Sequence, residues 1–494
     1  MNRLIRLNAL DNVAVALAPV LKGETLTVDG LSVTALCDVP MGHKLALFPI
    51  EEGARVVKYG CPIGAATRFI PAGDHVHTHN VRTLLNEKAA YSYHQGEQTP
   101  APRIAASFMG YERADKNGAG VRNDLWIVPT VGCVNGVARA LSERVAGEAK
   151  KAGVRAVALC HPYGCSQMAQ DQENTRNVLA RLATHPNAGG VLVLGLGCEN
   201  SGVEEIRKRM GNFDESRVRF LVCQDVEDEL REGERLLLEL LDRVKGEKRV
   251  EIDASRLIVG LKCGGSDGLS GVTANPVIGA FSDMLVAAGG TAILTEVPEM
   301  FGAERLLMNR CATGELFRKT VALINDFKAY YENSGLPVYE NPSPGNKAGG
   351  ITTLEDKALG CTQKSGFSPV CGVLSYGETV ENPGLNLLSA PGNDLVATTA
   401  LAASGAQLVL FSTGRGTPFM GPVPTIKISS NAPLANKKRG WIDFDASAAA
   451  QGTPIQELGK ALFSYALEVA GGRETLSEQN GYHDIAIFKT GVTL

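Results

Sequence analysis

The sequence predicts a multidomain α/β protein: a small N-terminal β module over residues 1–90, a linker over 91–120, and two α/β units over 121–250 and 251–494. Three observations carry this expectation. At 494 residues the chain exceeds what one hydrophobic core serves. Its first ninety residues alternate short apolar runs with glycine-centred turns. From Asp124 onward, strand-length apolar runs alternate with amphipathic helical stretches, which is the texture of a parallel sheet.

The β module is read from "LKGETL", "VPMGHKL", "IEEGARV" and "IPAGDHV", each of which places Gly in or near a turn. The last three share one spacing, as if a hairpin were reused in a compact barrel-like or clip-like unit. Residues 91–120 are polar and rich in turn formers, and read as a linker plus a hairpin leading into the next domain. In the first α/β unit "LWIVPTVGCVN", "VRAVALCHPYGCS", "AGGVLVLGLGCEN" and "VRFLVCQDV" are buried-strand runs. "GVARALSERVAGEAKKAG" and "VEDELREGERLLLELLDRVKGEKR" are helical, the latter closing the unit near Arg249. The second unit opens at Leu257 with "LIVGLKCGGSDGLSG" and continues through "GTAILTEVPEMFGAE", "GAQLVLFSTGRGTP" and "PTIKIS". Between them, Asn341–Gln363 is rich in Gly, Lys and Asn and is expected to be a functional loop.

Composition excludes several classes of function. A formal net charge of −4, with no basic run, gives no electrostatic case for nucleic acid. No stretch of about 18 apolar residues appears, so no membrane span is expected. Asn8, Asp11 and Asn12 interrupt the N-terminal apolar stretch, which argues against an export signal and for the cytoplasm. The eleven cysteines are odd in number and irregular in spacing, and are expected to be core residues or chemistry rather than a disulfide framework.

Chemistry-bearing residues fall into four groups. Three of the eight histidines, His75, His77 and His79, alternate within "DHVHTHN". On a strand they would share one face, with neighbours ~6–7 Å apart, close enough for two imidazoles to hold one divalent ion. Ordinary polar residues on a solvated strand are the bland alternative. Cys133, Cys165 and Cys198 each follow a predicted strand in "TVGCVN", "PYGCSQ" and "GLGCEN". At the carboxyl rim of a parallel sheet they could ligate iron or an iron–sulfur cluster, or serve as small core hydrophobes. The loops "KCGGSDGLSG", with Ser266 and Asp267, and "STGRGTP", with Gly414, Arg415 and Gly416, could bind a substrate carboxylate through backbone N–H groups and a bidentate guanidinium. Neither matches a nucleotide fingerprint. Glu296, Glu299 and Glu304 near a strand end, and Lys347 amid glycines, are candidates for acid–base work.

Taken in order, "GHKLAL", "VVKYGCPIG", "DHVHTHN", "GVRNDLWIVPTVGCVN", "GLGCEN", "GGSDGLSG", "TEVPEMFGAE", "NPSPGNKAGGITTLEDKALGCTQK" and "FSTGRGTP" resemble the altronate and galactarate dehydratase family across nearly the whole chain. The resemblance implies an N-terminal SAF-type β-clip domain. It further implies a metal-dependent hydro-lyase taking D-altronate to 2-dehydro-3-deoxy-D-gluconate in hexuronate breakdown, with Fe²⁺ as cofactor and Mn²⁺ as a substitute. A homo-oligomer acting on a small sugar acid, without nucleic acid or membrane partners, is also implied. The histidine triplet matches the altronate branch at His75, His77, His79 and Asn80. A galactarate dehydratase, a sulfolactate-type lyase, and a metal- or sugar-acid-binding protein without turnover are the alternatives.

The chemistry agrees. Removing the weakly acidic proton beside a carboxylate requires stabilising an enediolate, the task of a Lewis acid. His75, His77, Lys347 and Glu296 are the candidate acid–base residues. His75, His77 and His79, or the thiols of Cys133, Cys165 and Cys198, are the candidate ligands.

Overall fold

The computed structural model describes residues 3–85, 91–94, 96, 102–114 and 118–492. The expected boundary at residue 90, and parts of the expected linker, lie outside them.

The N-terminal module contains β1 (Leu4–Ile5), β2 (Val13–Ala16), β3 (Thr25–Val28), β4 (Leu31–Thr34), β5 (Lys44–Ala46), β6 (Arg55–Lys58), β7 (Cys61–Ala66), β8 (His75–Val76) and β9 (Val81–Arg82). They form sheets ordered β1-β2-β5-β8 and β6-β7-β9, beside the β3-β4 hairpin. The repeated turn is real and is used four times. Glu24, His43, Ala54 and Asp74 donate their N–H to Leu21, Pro40, Glu51 and Pro71 at 3.0–3.1 Å. The third residue of each turn is Gly23, Gly42, Gly53 or Gly73, with φ between +77° and +87°. That is the conformation a type II turn demands at this position. The histidine stretch departs from expectation. Only His75 and Val76 are strand, and a turn follows in which Asn80 and Val81 donate to the His77 carbonyl at 3.0 Å.

A hairpin of β10 (Ser107–Glu112) and β11 (Ala119–Gly120) leads into the middle domain. There β12 (Asp124–Pro129), α1 (Asn135–Lys151), β13 (Ala156–Ala158), α2 (Ala169–Ala183), β14 (Ala188–Gly195), α3 (Val203–Met210), β15 (Val218–Val222) and α4 (Glu229–Val244) alternate as predicted. The sheet is parallel with order β13-β12-β14-β15. On one side its core includes Ala138 and Leu141 of α1 and Leu237 of α4. Next, β16 (Val250–Asp253) pairs back on β10, so Ser107–Glu112 and Ala119–Gly120 belong to a three-stranded sheet and are not plain linker.

The C-terminal domain runs β17 (Ile258–Cys263), α5 (Ala274–Ala287), β18 (Thr291–Leu294), α6 (Glu304–Met308), α7 (Gly314–Asn333), α8 (Pro344–Ala348), α9 (Leu354–Cys361), β19 (Val370–Leu374), β20 (Gly384–Leu388), α10 (Asp394–Ala403), β21 (Leu408–Thr413), β22 (Thr425–Ser429), α11 (Ala432–Lys437), β23 (Phe444–Asp445), α12 (Ile455–Ala470) and α13 (Leu476–Gln479). Its seven strands are parallel in the order β19-β20-β18-β17-β21-β22-β23. The stretch Asn341–Gln363 is not an open loop. It holds α8 and a fully buried α9, which its Thr353 and Ser343 N-caps start. Among the described residues no helix is long and apolar enough to cross a membrane.

Candidate active site

In a doubly wound sheet, ligands bind beyond the carboxyl ends of the strands where the winding reverses. In the C-terminal domain β18 lies on one side of β17 and β21 on the other, so that point falls between β17 and β21. The loops leaving these two strands are the glycine-rich segments "GGSDGLSG" and "STGRGTP". They are knitted to each other: Gly414 and Arg415 donate their N–H to the Gly265 carbonyl at 3.1 and 3.0 Å. Gly416 donates to Thr413 Oγ1 at 2.8 Å. Those N–H groups are therefore spent inside the fold, and the expected backbone cradle at Gly414 and Gly416 is not free to take an anion.

Asp267 is likewise committed. Its carboxylate accepts from Ser270 N and Oγ, Ser430 Oγ and Asn431 Nδ2 at 2.8–2.9 Å. Burial pushes its carboxyl up, against those hydrogen bonds. Ser266 is buried, and its carbonyl accepts from Asn346 Nδ2 at 2.8 Å. Both are held in place by hydrogen bonds from neighbouring loops. Arg415 alone of this group is exposed, with Nη1 3.4 Å from the Gly345 carbonyl of α8.

The N-terminal module is docked on this rim. A Cβ on Gly268 would lie 1.9 Å from the Gly42 carbonyl, so only glycine permits the approach. Asp356 on α9 takes Lys44 Nζ at 2.8 Å and Lys58 Nζ at 3.0 Å, all three buried. Burial alone would raise the Asp356 carboxyl, but the two ammonium groups hold it well below the usual carboxylate range. Lys44 also donates to the Gly350 carbonyl at 2.7 Å.

This docking gathers four imidazoles. His75 packs on His43, His77 and His79 with ring centroids 5.1, 5.5 and 5.4 Å apart, and His43 lies 4.9 Å from His77. His43 Nδ1 is 3.0 Å from His75 Nε2, while His43 Nε2 is 3.3 Å from the Ala348 carbonyl and His77 Nδ1 3.1 Å from Thr352 Oγ1. Burial, then neighbouring positive charge, pushes His75 down to about 4 and His77 down to about 3, and burial lowers His43 as well. They are neutral near pH 7, the state in which imidazole accepts a proton or a metal. No three of them bring nitrogen atoms within 4.8 Å of one another, so closing on one ion requires ring rotation. His79 is exposed, as is Lys347 on α8, one residue before the carbonyl that faces His43.

Glu296 is not part of this surface. It is fully buried in a left-handed conformation, φ +69°, with its carboxylate paired to Lys262 Nζ and to Lys364 Nζ at 3.1 Å. Burial first, then the adjacent Glu299 charge, raises its carboxyl. Around it Lys364 Nζ lies 2.9 Å from Cys263 Sγ, and Cys263, Cys361 and Glu299 meet at 3.1–3.3 Å. Lys357 pairs with Glu299 at 2.8 Å. Ammonium groups neutralise both carboxylates, and among the described residues Cys263, Glu299 and Cys361 are the one group of three potential ligand atoms within 4.8 Å of one another. Glu304 is similarly tied to Lys328 at 2.9 Å. Sequence reasoning missed His43 and Lys262. Their signals were present: His43 closes the second reused turn, and Lys262 interrupts an apolar strand.

The thiols of Cys133, Cys165 and Cys198 are exposed, not core, and are not all within 4.8 Å of one another.

Fold and site together define a three-part α/β enzyme whose imidazole-rich face is set on a doubly wound body by a small β module. Three family models match in sequence: the altronate/galactarate dehydratase SAF domain over residues 2–84, the D-galactarate dehydratase/altronate hydrolase second domain over 110–245, and the D-galactarate/altronate dehydratase C-terminal domain over 254–493. The chain is 53% identical over 493 residues to an altronate dehydratase of Escherichia coli, covering 99% of each, and 51% identical over 498 residues to one of Bacillus subtilis, covering 100% of each. It is 33% identical to an E. coli galactarate dehydratase (L-threo-forming), over 98% of this chain and 96% of that one. The chain belongs to the altronate/galactarate dehydratase family and is a hydro-lyase.

Proposed function

We propose that this hydro-lyase removes water from D-altronate to give 2-dehydro-3-deoxy-D-gluconate, with Fe²⁺, or Mn²⁺ in its place, as cofactor. The observation that carries the reading is helix α8. It brings the exposed Lys347, the Gly345 carbonyl held by Arg415, and the Ala348 carbonyl held by His43 into one short stretch. Sugar-acid recognition and acid–base chemistry therefore converge on the histidine face. The names of the relatives at 51–53% identity favour altronate over galactarate.

The donor set fits the ion, since neutral imidazoles suit ferrous and manganous ions and three of them lie with ring centroids 4.9–5.5 Å apart. His43, His75 and His77 would hold it, and bound there it would supply Lewis-acid stabilisation of the enediolate. Arg415 pairs with the substrate carboxylate. The exposed His79 imidazole takes the C2 proton, and the C–H electron pair becomes the C2–C3 double bond. As the C3–O bond breaks, the Lys347 ammonium gives a proton to the leaving hydroxyl, which departs as water. The enol left at C2 tautomerises to the 2-keto acid.

The test is 2-keto acid release from D-altronate after chelation, with and without added Fe²⁺. Restored turnover by Fe²⁺, and a fall of roughly 100-fold in kcat/KM in His75→Ala and His79→Ala, are expected. Turnover confined to galactarate or a sulfolactate would reassign the substrate. Full activity in both histidine variants would remove the site from the histidine face.

A further inference from the structure

The middle domain has its own point of winding reversal, which the histidine site does not use. Strand β13 lies on one side of β12 and β14 on the other, so the crevice opens beyond the carboxyl ends of β12 and β14. Cys133 follows β12, Cys198 follows β14, and Cys165 lies on the loop leaving the adjacent β13. All three thiols are exposed, whereas Cys263, Cys311 and Cys361 are buried.

The three loops are locked to one another. Gly132 donates its N–H to the Tyr163 carbonyl at 2.8 Å, and Ser201 donates to the Gly164 carbonyl at 3.0 Å. Thr130 Oγ1 donates to Glu199 at 2.5 Å, joining the end of β12 to the loop after β14. Cys165 Sγ lies 3.3 Å from Asn200 Oδ1, two residues beyond Cys198. A Cβ on Gly164 would sit 2.0 Å from the Thr130 carbonyl, so the glycine before Cys165 is what lets its loop close on the loop carrying Cys133. The glycines before Cys165 and Cys198 have φ of +108° and +127°. Beside them Ser166 and Ala169 hold positive φ without being glycine, a strain that folds retain at functional sites. The same loops hold two buried polar atoms without a hydrogen-bond partner among the described residues, Ser201 Oγ and Asn135 Oδ1.

We propose that Cys133, Cys165 and Cys198 ligate an iron–sulfur cluster at this crevice, leaving one iron without a protein thiolate and open to water or a ligand oxygen. Thiolates select zinc, Cu(I) or iron–sulfur clusters among biological metals. A structural zinc site closes with four ligands, and two Zn–S bonds of ~2.3 Å span at most ~4.6 Å. Here the three sulfur atoms are not all within 4.8 Å of one another, and no His, Asp or Glu among the described residues completes a set with them. A cluster instead places each thiolate on a different iron, so it accepts a wider triangle on an exposed rim. The site lies in a different domain from the histidine residues, and its failure would leave the dehydratase reading intact.

The full-length protein, purified without oxygen, is to be assayed for iron, zinc and acid-labile sulfide, and followed by visible absorption and electron paramagnetic resonance before and after dithionite. The expected result is a brown protein with about four irons and about four sulfides per chain. Its visible band should bleach on reduction and disappear in Cys133→Ser, Cys165→Ser and Cys198→Ser. His75→Ala and Cys371→Ser should keep the band, and thermal melts should show all variants folded. A colourless protein lacking labile sulfide after anaerobic iron–sulfide reconstitution overturns the proposal. So does a stoichiometric zinc ion lost in the same variants, or a cluster retained in all three.

Discussion

Glu296, near a strand end, and Lys347, amid glycines, both read in sequence as acid–base candidates, yet their surroundings assign them opposite work. Glu296→Gln removes the partner of the buried Lys262 and Lys364, so it is expected to cost roughly 3–5 kcal/mol and to lower the urea midpoint. Lys347→Ala, on an exposed turn of helix, should change stability by no more than about 0.5 kcal/mol while cutting turnover on D-altronate roughly 100-fold. A stable, inactive Glu296→Gln would return that carboxylate to the chemistry. The histidine triplet was legible because three imidazoles in five positions need no tertiary information to be noticed. His43 was not. It stands 32 residues before His75 and meets it only because β5 and β8 pair with Leu45 opposite His75. Asp267, Gly414 and Gly416 were read as binding groups because sequence shows which loops are rich in donors and acceptors. It does not show that those loops consume one another's.

At the scale of elements, strands written as continuous apolar runs were legible in both α/β domains, since a strand covered on both faces needs no alternation. The segment 341–363 was not, because its apolar content is low and its burial comes from ion pairs and caps rather than hydrophobic periodicity. Helix α9 is buried along its whole length yet carries Glu355, Asp356 and Lys357. Its Asp356 is what fastens the β module. Asp356→Ala strands two buried ammonium groups, Lys44 and Lys58. The expected outcome is a loosened module on an intact body. Amide hydrogen exchange should rise at least tenfold across residues 40–46 and 75–82, while β17 and β18 stay protected. Equal loss of protection in both regions would mean that the module and body fold as one inseparable unit.

Where the middle and C-terminal domains meet, one contact is of a kind that only a neutral imidazole can make. His185 in the middle domain puts Nε2 3.2 Å from the Ala406 carbonyl of the C-terminal domain, while its Nδ1 accepts from Asn187 N at 3.1 Å. His161 uses the same arrangement, to the Pro129 carbonyl at 2.8 Å and from Tyr163 N at 3.2 Å. A proton on Nδ1 would oppose a donor in each case. Burial accordingly pushes His185 down to about 3 and His161 down to about 4. An unfolded histidine titrates near 6.5, so as pH falls below that value the unfolded chain takes up protons that the native chain refuses. Stability from these groups is complete above about pH 6.5 and is lost progressively toward the native values, by about 2 kcal/mol per histidine at pH 5. The half-buried His75 and His77 add a smaller contribution in the same window. The carboxylates held low, such as Asp356 and Glu478, lose their share only at lower pH. Melting temperatures of the metal-free protein should therefore fall between pH 7 and pH 5, and His185→Gln, although less stable at pH 7, should show a shallower fall. An unchanged slope in that variant would mean that the imidazole at the domain seam is not what acid attacks.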